Sequence, residues 1–156
     1  MSKDTTDGRK VIARNKKALH DYHILDRWEA GLVLTGPEVK SIRDRKVSIG
    51  ESYARVQDGE VWLHGMHVSP YDPAATWNTD ATRARKLLLQ KKEIRRLIGA
   101  TQDRGLTLVP LDLYFRRGYA RITLALGKGK KLHDKREDLK RKDAEREVQR
   151  AFRQHT

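Results

Sequence analysis

Short segments in which apolar and polar residues alternate fill most of the chain, and turn-forming residues separate them. Alternation of this kind predicts half-buried β-strands, because successive side chains of a strand point to opposite faces. The pattern predicts strands over residues 20–25 and 30–35, and a hairpin of residues 53–57 and 60–66. Asp58-Gly59 supports the hairpin, since a two-residue type I′ turn needs positive φ angles at both central positions.

A second hairpin is predicted towards the end of this alternating region. Residues 106–115 and 119–126 each place their apolar side chains on one side, and Arg116-Arg117-Gly118 supplies the turn between them. Pro110 lies inside the first of these strands and has no amide hydrogen to donate. We therefore expect Pro110 at a sheet edge or at a bulge.

Two helices interrupt the strand pattern. Thr35-Gly36-Pro37-Glu38 has the spacing of a capping box, in which Thr35 accepts from free amides and Glu38 reaches back to the cap. A short helix with Val39 and Ile42 facing inward should follow. Residues 91–104 repeat apolar positions on one helical face before Gly105, which predicts a second helix of about fourteen residues.

The count of elements favours a mainly β fold of about six short antiparallel strands with two to three helices. A small closed barrel satisfies this count, because closure removes the exposed edge strands along which proteins associate. We predict such a barrel over residues 13–126, after a flexible leader of residues 1–12 and before a basic tail of residues 127–156.

Charge is the strongest feature of the composition. The chain has 156 residues, no cysteine and a net charge of +13. One domain is expected at this length, and the absence of cysteine excludes disulfides, thiolate zinc sites and thiol catalysis. The basic residues are scattered over the whole chain, which favours nucleic acid over a lipid surface. With neither a signal peptide nor an apolar run long enough for a membrane span, we expect a cytoplasmic protein. We also expect it to be a monomer.

More than half of the last thirty residues, 127–156, are charged, with eleven Lys and Arg against six Asp and Glu. Gly127-Lys128-Gly129 has the composition of a hinge at the start of this tail. Glu137 with Arg141, and Asp138 with Lys142, are i,i+4 pairs in the helix-stabilising orientation. The apolar stripe is thin, so we expect the tail to be disordered until it meets an anionic surface; the alternative is a permanently solvated helix.

Residues that could carry catalysis are poorly supported. His20-x-x-His23 and His64-x-x-His67 resemble metal-ligand pairs, but residues three apart on a strand point to opposite faces. Residues 127–131 lack the spacing of a Walker phosphate loop, and neither a dinucleotide-binding nor a catalytic-triad motif is found. We therefore expect a binding module with no catalytic residues, cofactor or metal.

Two basic segments with nearby aromatic residues favour RNA as the partner. They are Asn15-Lys16-Lys17 and Arg83-Ala84-Arg85-Lys86. Lysine and arginine gain affinity by releasing counterions from phosphates, and aromatic faces accept unstacked bases. The interleaved aromatic residues are Tyr22, Trp28, Tyr71 and Trp77, although core burial is the expectation for Trp28 and Trp62.

Seven segments, in order and with family spacing, resemble small protein B, the SsrA-binding protein family of bacterial trans-translation. They are Asn15-Lys-Lys-Ala-Leu-His-Asp-Tyr22, Glu29-Ala-Gly-Leu-Val-Leu-Thr-Gly36, Glu38-Val-Lys-Ser41, Thr82-Arg-Ala-Arg-Lys-Leu-Leu-Leu89, Leu106-Thr-Leu-Val-Pro-Leu111, Leu113-Tyr-Phe115 and Gly127-Lys-Gly-Lys-Lys-Leu-His-Asp-Lys-Arg136. The resemblance extends from about residue 13 to residue 137.

The resemblance implies an oligonucleotide-binding (OB)-like barrel that binds the tRNA-like domain of transfer-messenger RNA. With elongation factor Tu, it would carry the aminoacylated RNA to stalled ribosomes. Together with Lys17 and Arg85 of the basic segments, the RNA-facing residues would be Asn15, Lys16, His20, Tyr22, Glu29, Arg83, Lys86 and Leu88. The tail would enter the empty mRNA channel at the small-subunit decoding centre and become helical there. Its ribosome-facing residues would be Lys128, Lys130, Lys131, His133, Asp134, Lys135 and Arg136.

Other functions stay open at this point. A structural ribosomal or ribosome-assembly protein that binds ribosomal RNA would share the basic composition, and an RNA-modifying enzyme would need a pocket for which no motif is found. Glu29 could either bind RNA or support the scaffold.

Overall fold

The computed structural model describes residues 9–70, 80–102, 105–130 and 132–154. Among these residues, no helix is both long enough and apolar enough to cross a membrane. The elements are β1 Arg9–Arg14, α1 Lys16–Asp21, β2 Tyr22–Leu32, α2 Gly36–Arg43, β3 Val47–Ser48, β4 Tyr53–Gln57, β5 Glu60–His64, β6 His67–Val68, β7 Arg85–Leu88, α3 Lys91–Ala100, β8 Leu106–Arg116, β9 Tyr119–Gly129 and α4 Leu132–Gln154.

Six strands close into a ring in the order β8-β4-β5-β7-β2-β9, and β9 pairs back onto β8. Every pairing is antiparallel. The seventh strand of the sheet, β1, pairs with β8 from Arg9 opposite Arg116 to Arg14 opposite Asp112. The predicted mainly β fold of about six strands is confirmed, and the ring is consistent with an OB-like fold. The other strands, β3 and β6, form a separate two-stranded sheet.

The hydrophobic core fills the inside of the ring. Each fully buried aliphatic side chain contributes about 1.5–3 kcal/mol relative to leaving it exposed. Helices α2 and α3 add Ile42 and Leu97, both fully buried, to this core. The ring strands supply Ala30, Val61, Leu63, Leu87, Leu108, Leu113, Ile122 and Leu124.

Both predicted hairpins are confirmed. Asp58 and Gly59 have φ angles of 51° and 76° between β4 and β5, and Arg117 and Gly118 have angles of 51° and 81° between β8 and β9. The pairing of β8 with β9 shifts register just after Pro110. The predicted bulge position of this proline is therefore confirmed.

The capping box of α2 is also confirmed. The Glu38 amide donates to Thr35 Oγ1 over 3.4 Å, and the Thr35 amide donates to Glu38 Oε1 over 2.9 Å. Helix α3 ends at Ala100, so the prediction of a helix through residue 104 is too long. At this end the Thr101 hydroxyl donates to the Leu97 carbonyl over 2.7 Å. Threonine side chains can bond helical carbonyls in this way and so compete with continuation of the helix.

The prediction of two strands over residues 20–25 and 30–35 is wrong. Residues 16–21 form the short helix α1, and Tyr22–Leu32 is one long strand. The pairing of β2 with β9 shifts register between Ile24 and Asp26. After this bulge the side chains point to the opposite faces of the sheet. The alternation of apolar and polar residues is therefore interrupted in the sequence, although the strand is continuous.

Both predicted boundaries of the barrel are displaced. Strand β1 begins at Arg9, which contradicts the flexible leader for residues 9–12; the rest of that leader lies outside the described residues. Arg9 belongs to the segment that the sequence predicted as a flexible leader. In the structure its guanidinium pairs with Asp112 and lies 3.8 Å from the centre of the Tyr114 ring. At the other end, β9 runs to Gly129, so residues 127–129 are sheet and not a hinge.

Candidate nucleic-acid interface

Helix α1 lies on the outer surface of the ring. Ala18 is buried in a second, smaller apolar cluster, separate from the ring core, with Val109 and Leu111 of β8 and Ala125 of β9. The partly buried Tyr22 packs against the same cluster. The helix therefore presents its remaining side chains outward, over the start of β8.

Asn15 caps the N-terminus of this helix and joins it to the sheet. Its side chain is buried, and Oδ1 accepts from the Ala18 amide over 3.0 Å as the helix N-cap. Nδ2 donates to the carbonyls of Pro110, over 2.9 Å, and Ile49, over 3.2 Å. With both amide hydrogens donated inside the protein, Asn15 positions α1, although the sequence had suggested a place on the RNA-facing surface.

The basic side chains of α1 are exposed. Lys16, Lys17 and His20 all lie at the surface. Lys17 Nζ donates to Glu51 Oε1 over 2.5 Å, and the hydrogen bond and charge of Glu51 raise the pKa of this lysine. His20 Nδ1 lies 3.0 Å from the carboxylate of Asp21. The structure thus brings these predicted RNA-binding residues together on one short helix.

A cleft of about 370 Å³ lies beside α1. It is lined by the half-buried ring of Tyr22, by Tyr53 of β4, and by Lys17 and Glu51. Aromatic rings beside a lysine can hold an unstacked base next to its phosphate.

The basic segment of residues 83–86 divides between the interior and the surface. Arg85 has no exposed surface, and its guanidinium pairs with Glu38 over 2.6 Å and donates to the Met66 carbonyl over 2.9 Å. RNA cannot reach a side chain in this position, so the prediction that Arg85 binds RNA is wrong. Its neighbour Arg83 is partly exposed and pairs with the same carboxylate over 2.5 Å.

Glu38 is the centre of this buried network. Burial alone would raise the pKa of its carboxyl group. The hydrogen bonds from Arg83, Thr35 and Arg85 outweigh burial and hold that pKa below its usual value. The two arginines also bind the Ala81 and Ala84 carbonyls, which fixes the start of β7.

Lys86 and Leu88 face outward from β7. Lys86 Nζ donates to Glu60 over 2.9 Å, and both side chains are partly exposed. Leu88 is 52% exposed and lies opposite Gly31 of β2, where an added Cβ would be 3.2 Å from the Leu88 Cβ. An exposed leucine next to a glycine on the outer face is a suitable platform for an apolar contact with a base or a ribose.

Glu29 holds a cluster of side chains that the sequence did not reveal. Its carboxylate accepts from the Tyr114 hydroxyl and from Arg116 Nη1 over 2.7 Å, and lies 3.6 Å from Arg121 Nη1. Burial, together with the hydrogen bond and charge of Glu29, raises the pKa of Tyr114 to about 12. The turn between β8 and β9 consists of Arg117 and Gly118 alone, one residue shorter than the sequence predicted, and this register places Tyr114 opposite Arg121.

The first residues of the tail are joined to the α1 region. Lys128 lies opposite His23 in the sheet, and the Lys130 amide donates to the Asp21 carbonyl over 2.8 Å. Lys130 Nζ also reaches the Leu19 carbonyl over 3.4 Å. The predicted ribosome-facing residues therefore begin directly beside the predicted RNA-facing ones.

Helix α4 contains most of the other predicted tail residues. Arg136 is exposed, and His133, Asp134 and Lys135 belong to the helical backbone. Lys131, Tyr71, Trp77 and the side chains of Glu137 and Asp138 lie outside the described residues.

Neither histidine pair forms a metal site within the part of the chain that the structure describes, where no group of three potential ligands is found. His20 lies on α1 and His23 on β2.

The closed ring and the exposed basic residues on its outer surface define a small OB-like protein of the RNA-binding class. The family model described as SmpB protein matches residues 12–154. The chain belongs to this family, which confirms the resemblance of the sequence motifs.

Relatives match over nearly the whole chain. The SsrA-binding protein of Geobacillus thermodenitrificans (strain NG80-2) is 57% identical over 145 residues, covering 93% of this chain and 94% of that protein. The SsrA-binding protein of Bacillus subtilis (strain 168) is 56% identical over 144 residues, covering 92% of each. A chain of the solved structure "tmRNA-SmpB: a journey to the center of the bacterial ribosome" is 47% identical, with a TM-score of 0.67, and covers 81% of this chain and 93% of that one.

Proposed function

We propose that this protein is an RNA-binding adaptor that binds transfer-messenger RNA and delivers it to stalled ribosomes in trans-translation. The observation that carries the proposal is the 57% identity to an SsrA-binding protein over 93% of the chain. The exposed lysines of α1 support it physically, because phosphate contacts dominate RNA affinity. This function places the protein in the cytoplasm, where it acts without catalysing a reaction.

The folded ring and the tail have separate tasks in this proposal. The ring binds the tRNA-like domain through Lys16, Lys17, His20, Tyr22 and Leu88, with Arg83 and Lys86 beside them. The tail, from Lys128 through Arg136 and α4, occupies the decoding centre and the empty mRNA channel. A single copy of the protein accompanies the aminoacylated RNA and elongation factor Tu.

Deleting residues 131–156 tests this division of tasks. The truncated protein retains the ring, so its affinity for transfer-messenger RNA should stay within a few-fold of the full chain. Peptide tagging on stalled ribosomes should be abolished, because the truncated protein has no tail to occupy the mRNA channel. Both quantities are measured in parallel, by RNA binding and by a reconstituted tagging assay. An equal loss of affinity and tagging would contradict the division.

RNA that copurifies with the protein from cells distinguishes the proposed function from ribosomal RNA binding. Sequencing should recover one small structured RNA in near-equimolar amount if transfer-messenger RNA is the partner. Fragments of ribosomal RNA as the main species would instead favour a ribosomal or ribosome-assembly protein.

A further inference from the structure

The pairing of β2 with β9 continues into the end of α1. Tyr22, the first residue of β2, lies opposite Gly129, the last residue of β9. The next pair outward is also bonded, because the Lys130 amide donates to the Asp21 carbonyl over 2.8 Å. Asp21 is the last residue of α1. The ladder of hydrogen bonds therefore ends beyond both strands, where the helix meets the start of the tail.

The side chain of Lys130 binds the same end of α1. The last carbonyl groups of a helix have no partner within it, and lysine side chains can bond them. Lys130 Nζ donates to the Leu19 carbonyl over 3.4 Å, so one residue serves the carbonyls of both Leu19 and Asp21. These three residues form a joint between α1 and the tail.

The end of β9 touches α1 at a further point. Gly127 leaves space for Tyr22, since an added Cβ would lie 2.9 Å from the Tyr22 Cβ. Tyr22 packs against the small cluster that buries Ala18 beneath α1, and its amide donates to the Ala18 carbonyl at the end of the helix. Beyond the joint, α4 begins at Leu132.

Two lysines at the start of the tail differ in their surroundings. The resemblance gave Lys128 and Lys130 the same ribosome-facing role. Lys128 is exposed, whereas Lys130 is half-buried and directs both its amide and its ammonium group at α1. An ammonium group that leaves such a bond for another ligand has to give up the carbonyl it already binds. The structure therefore favours different tasks for the two residues.

We propose that Lys130 is a positioning residue that joins the tail to α1 and fixes the point at which the tail leaves the ring. It acts through the carbonyls of Leu19 and Asp21 and not by contact with the ribosome. The inference rests on the proposed function for the tasks of α1 and of the tail. Since coupling between two sites is reciprocal, RNA bound at α1 steadies the start of the tail, and loss of the joint loosens α1.

Hydrogen exchange of the full chain without RNA tests the joint. K130M removes the ammonium group from a side chain of similar length, and K130P removes the amide hydrogen as well. Exchange of the Tyr22 amide at the end of α1 should be several-fold faster in K130M and faster still in K130P. The matched control K128M removes an exposed lysine of β9 and should leave this exchange unchanged.

A donor-retaining variant guards against damage to the sheet. Exchange of the Ile122 and Leu124 amides within β9 reports whether each variant keeps the ring. If K130P opens the ring, K130M and K130R decide the question. K130R should restore slow exchange of the Tyr22 amide, because a guanidinium group can still donate to a carbonyl. Exchange in K130M as slow as in K128M, or in K130R as fast as in K130M, would overturn the joint.

Salt dependence distinguishes positioning from a ribosome contact. A lysine that binds a phosphate releases counterions, so its loss flattens the slope of log affinity against log salt by about 0.7–0.9. The complex of K130M with transfer-messenger RNA should bind stalled ribosomes several-fold more weakly, with the slope of the wild type. A flattened slope would assign Lys130 to the ribosome and overturn the proposal.

Exchange with bound RNA separates this inference from the proposed function. Transfer-messenger RNA should slow exchange in α1 and, through the joint, at the Lys130 amide of the wild type. Protection no greater than that given by an unrelated RNA of equal length would refute the proposed function, and the comparison of K130M with K128M in the free protein would still decide the joint. Protection of α1 with unchanged exchange at Lys130 would refute the coupling alone.

Discussion

At the residue scale, charged side chains next to one another in the sequence have different tasks. Arg85 is fully buried, and Lys86 faces the surface. Alternation along a strand requires one of the two to face inward, but composition does not say which. Arg85 is the residue that faces inward because the buried carboxylate of Glu38, from the capping box of α2, compensates its charge.

Replacing Glu38 with glutamine should destabilise the protein strongly. Breaking a buried ion pair by removing one partner costs about 3–5 kcal/mol, because the other charge stays buried without compensation. Unfolding in urea measures the change in the free energy of unfolding. The matched control is E60Q, which removes the partner of the partly exposed Lys86 and should cost no more than about 1 kcal/mol.

Acid sensitivity gives the same prediction a second readout. The pKa of Glu38 is lower in the folded state than its usual value, so the ionised carboxylate stabilises the fold. This contribution is complete above the unfolded pKa, near 4.3, and is lost as pH falls through the folded pKa. E38Q should therefore lose less stability than the wild type between neutral pH and pH values below about 4. Equal pH dependence of the two proteins would contradict this assignment.

At the element scale, local signals predict the structure where one turn or one cap determines it. Asp58-Gly59, the Thr35 capping box and Pro110 each identify an element correctly, because their conformational preferences do not depend on distant residues. The bulge in β2 has no such signal. Its register is fixed by pairing with β9, which is about a hundred residues further along the chain.

The end of β9 depends on Gly127 for a spatial reason. A Cβ at this position would lie 2.9 Å from the Cβ of Tyr22, which is closer than real Cβ contacts, and 3.1 Å from its ring, which is tighter than most of them. The glycine that the sequence suggested as a hinge instead lets Tyr22 pack across the sheet. Tyr22 in turn packs against the cluster beneath α1.

Replacing Gly127 with alanine should displace the Tyr22 ring and destabilise the protein by about 1–3 kcal/mol, as overpacking does. Chemical unfolding gives the free energy, and the Tyr22 ring resonances report the displacement. G129A is the matched control, because a Cβ there meets none of the described atoms within 4 Å. A G127A protein as stable as G129A would show that the contact is absent.

At the scale of the whole molecule, the sequence predicts the fold class well and the extent of the sheet less well. The polar residues of β1 and the charged start of the tail were placed outside the barrel, because solvated and paired charges look alike in a sequence. Only the folded chain brings Arg9 onto Tyr114, or Lys130 onto the Asp21 carbonyl. The same limit concealed the arginine pair around Glu29, whose partners lie some ninety residues from it.

Helix α4 should be far less stable than the ring in the free protein. The described side chains of this helix, Arg136 and residues 139–150, are all exposed, including the apolar Leu139 and Val148. A helix without a buried face is marginal in water, whereas the amides of β9 are protected by strands on both sides. Hydrogen exchange should therefore be fast across Leu132–Gln154 and slow across Tyr119–Gly129. Under the proposed function, ribosome binding should slow the exchange of the helix, because the mRNA channel would then cover its apolar residues. Protection that is already equal to that of β9 in the free protein would show a permanently folded tail.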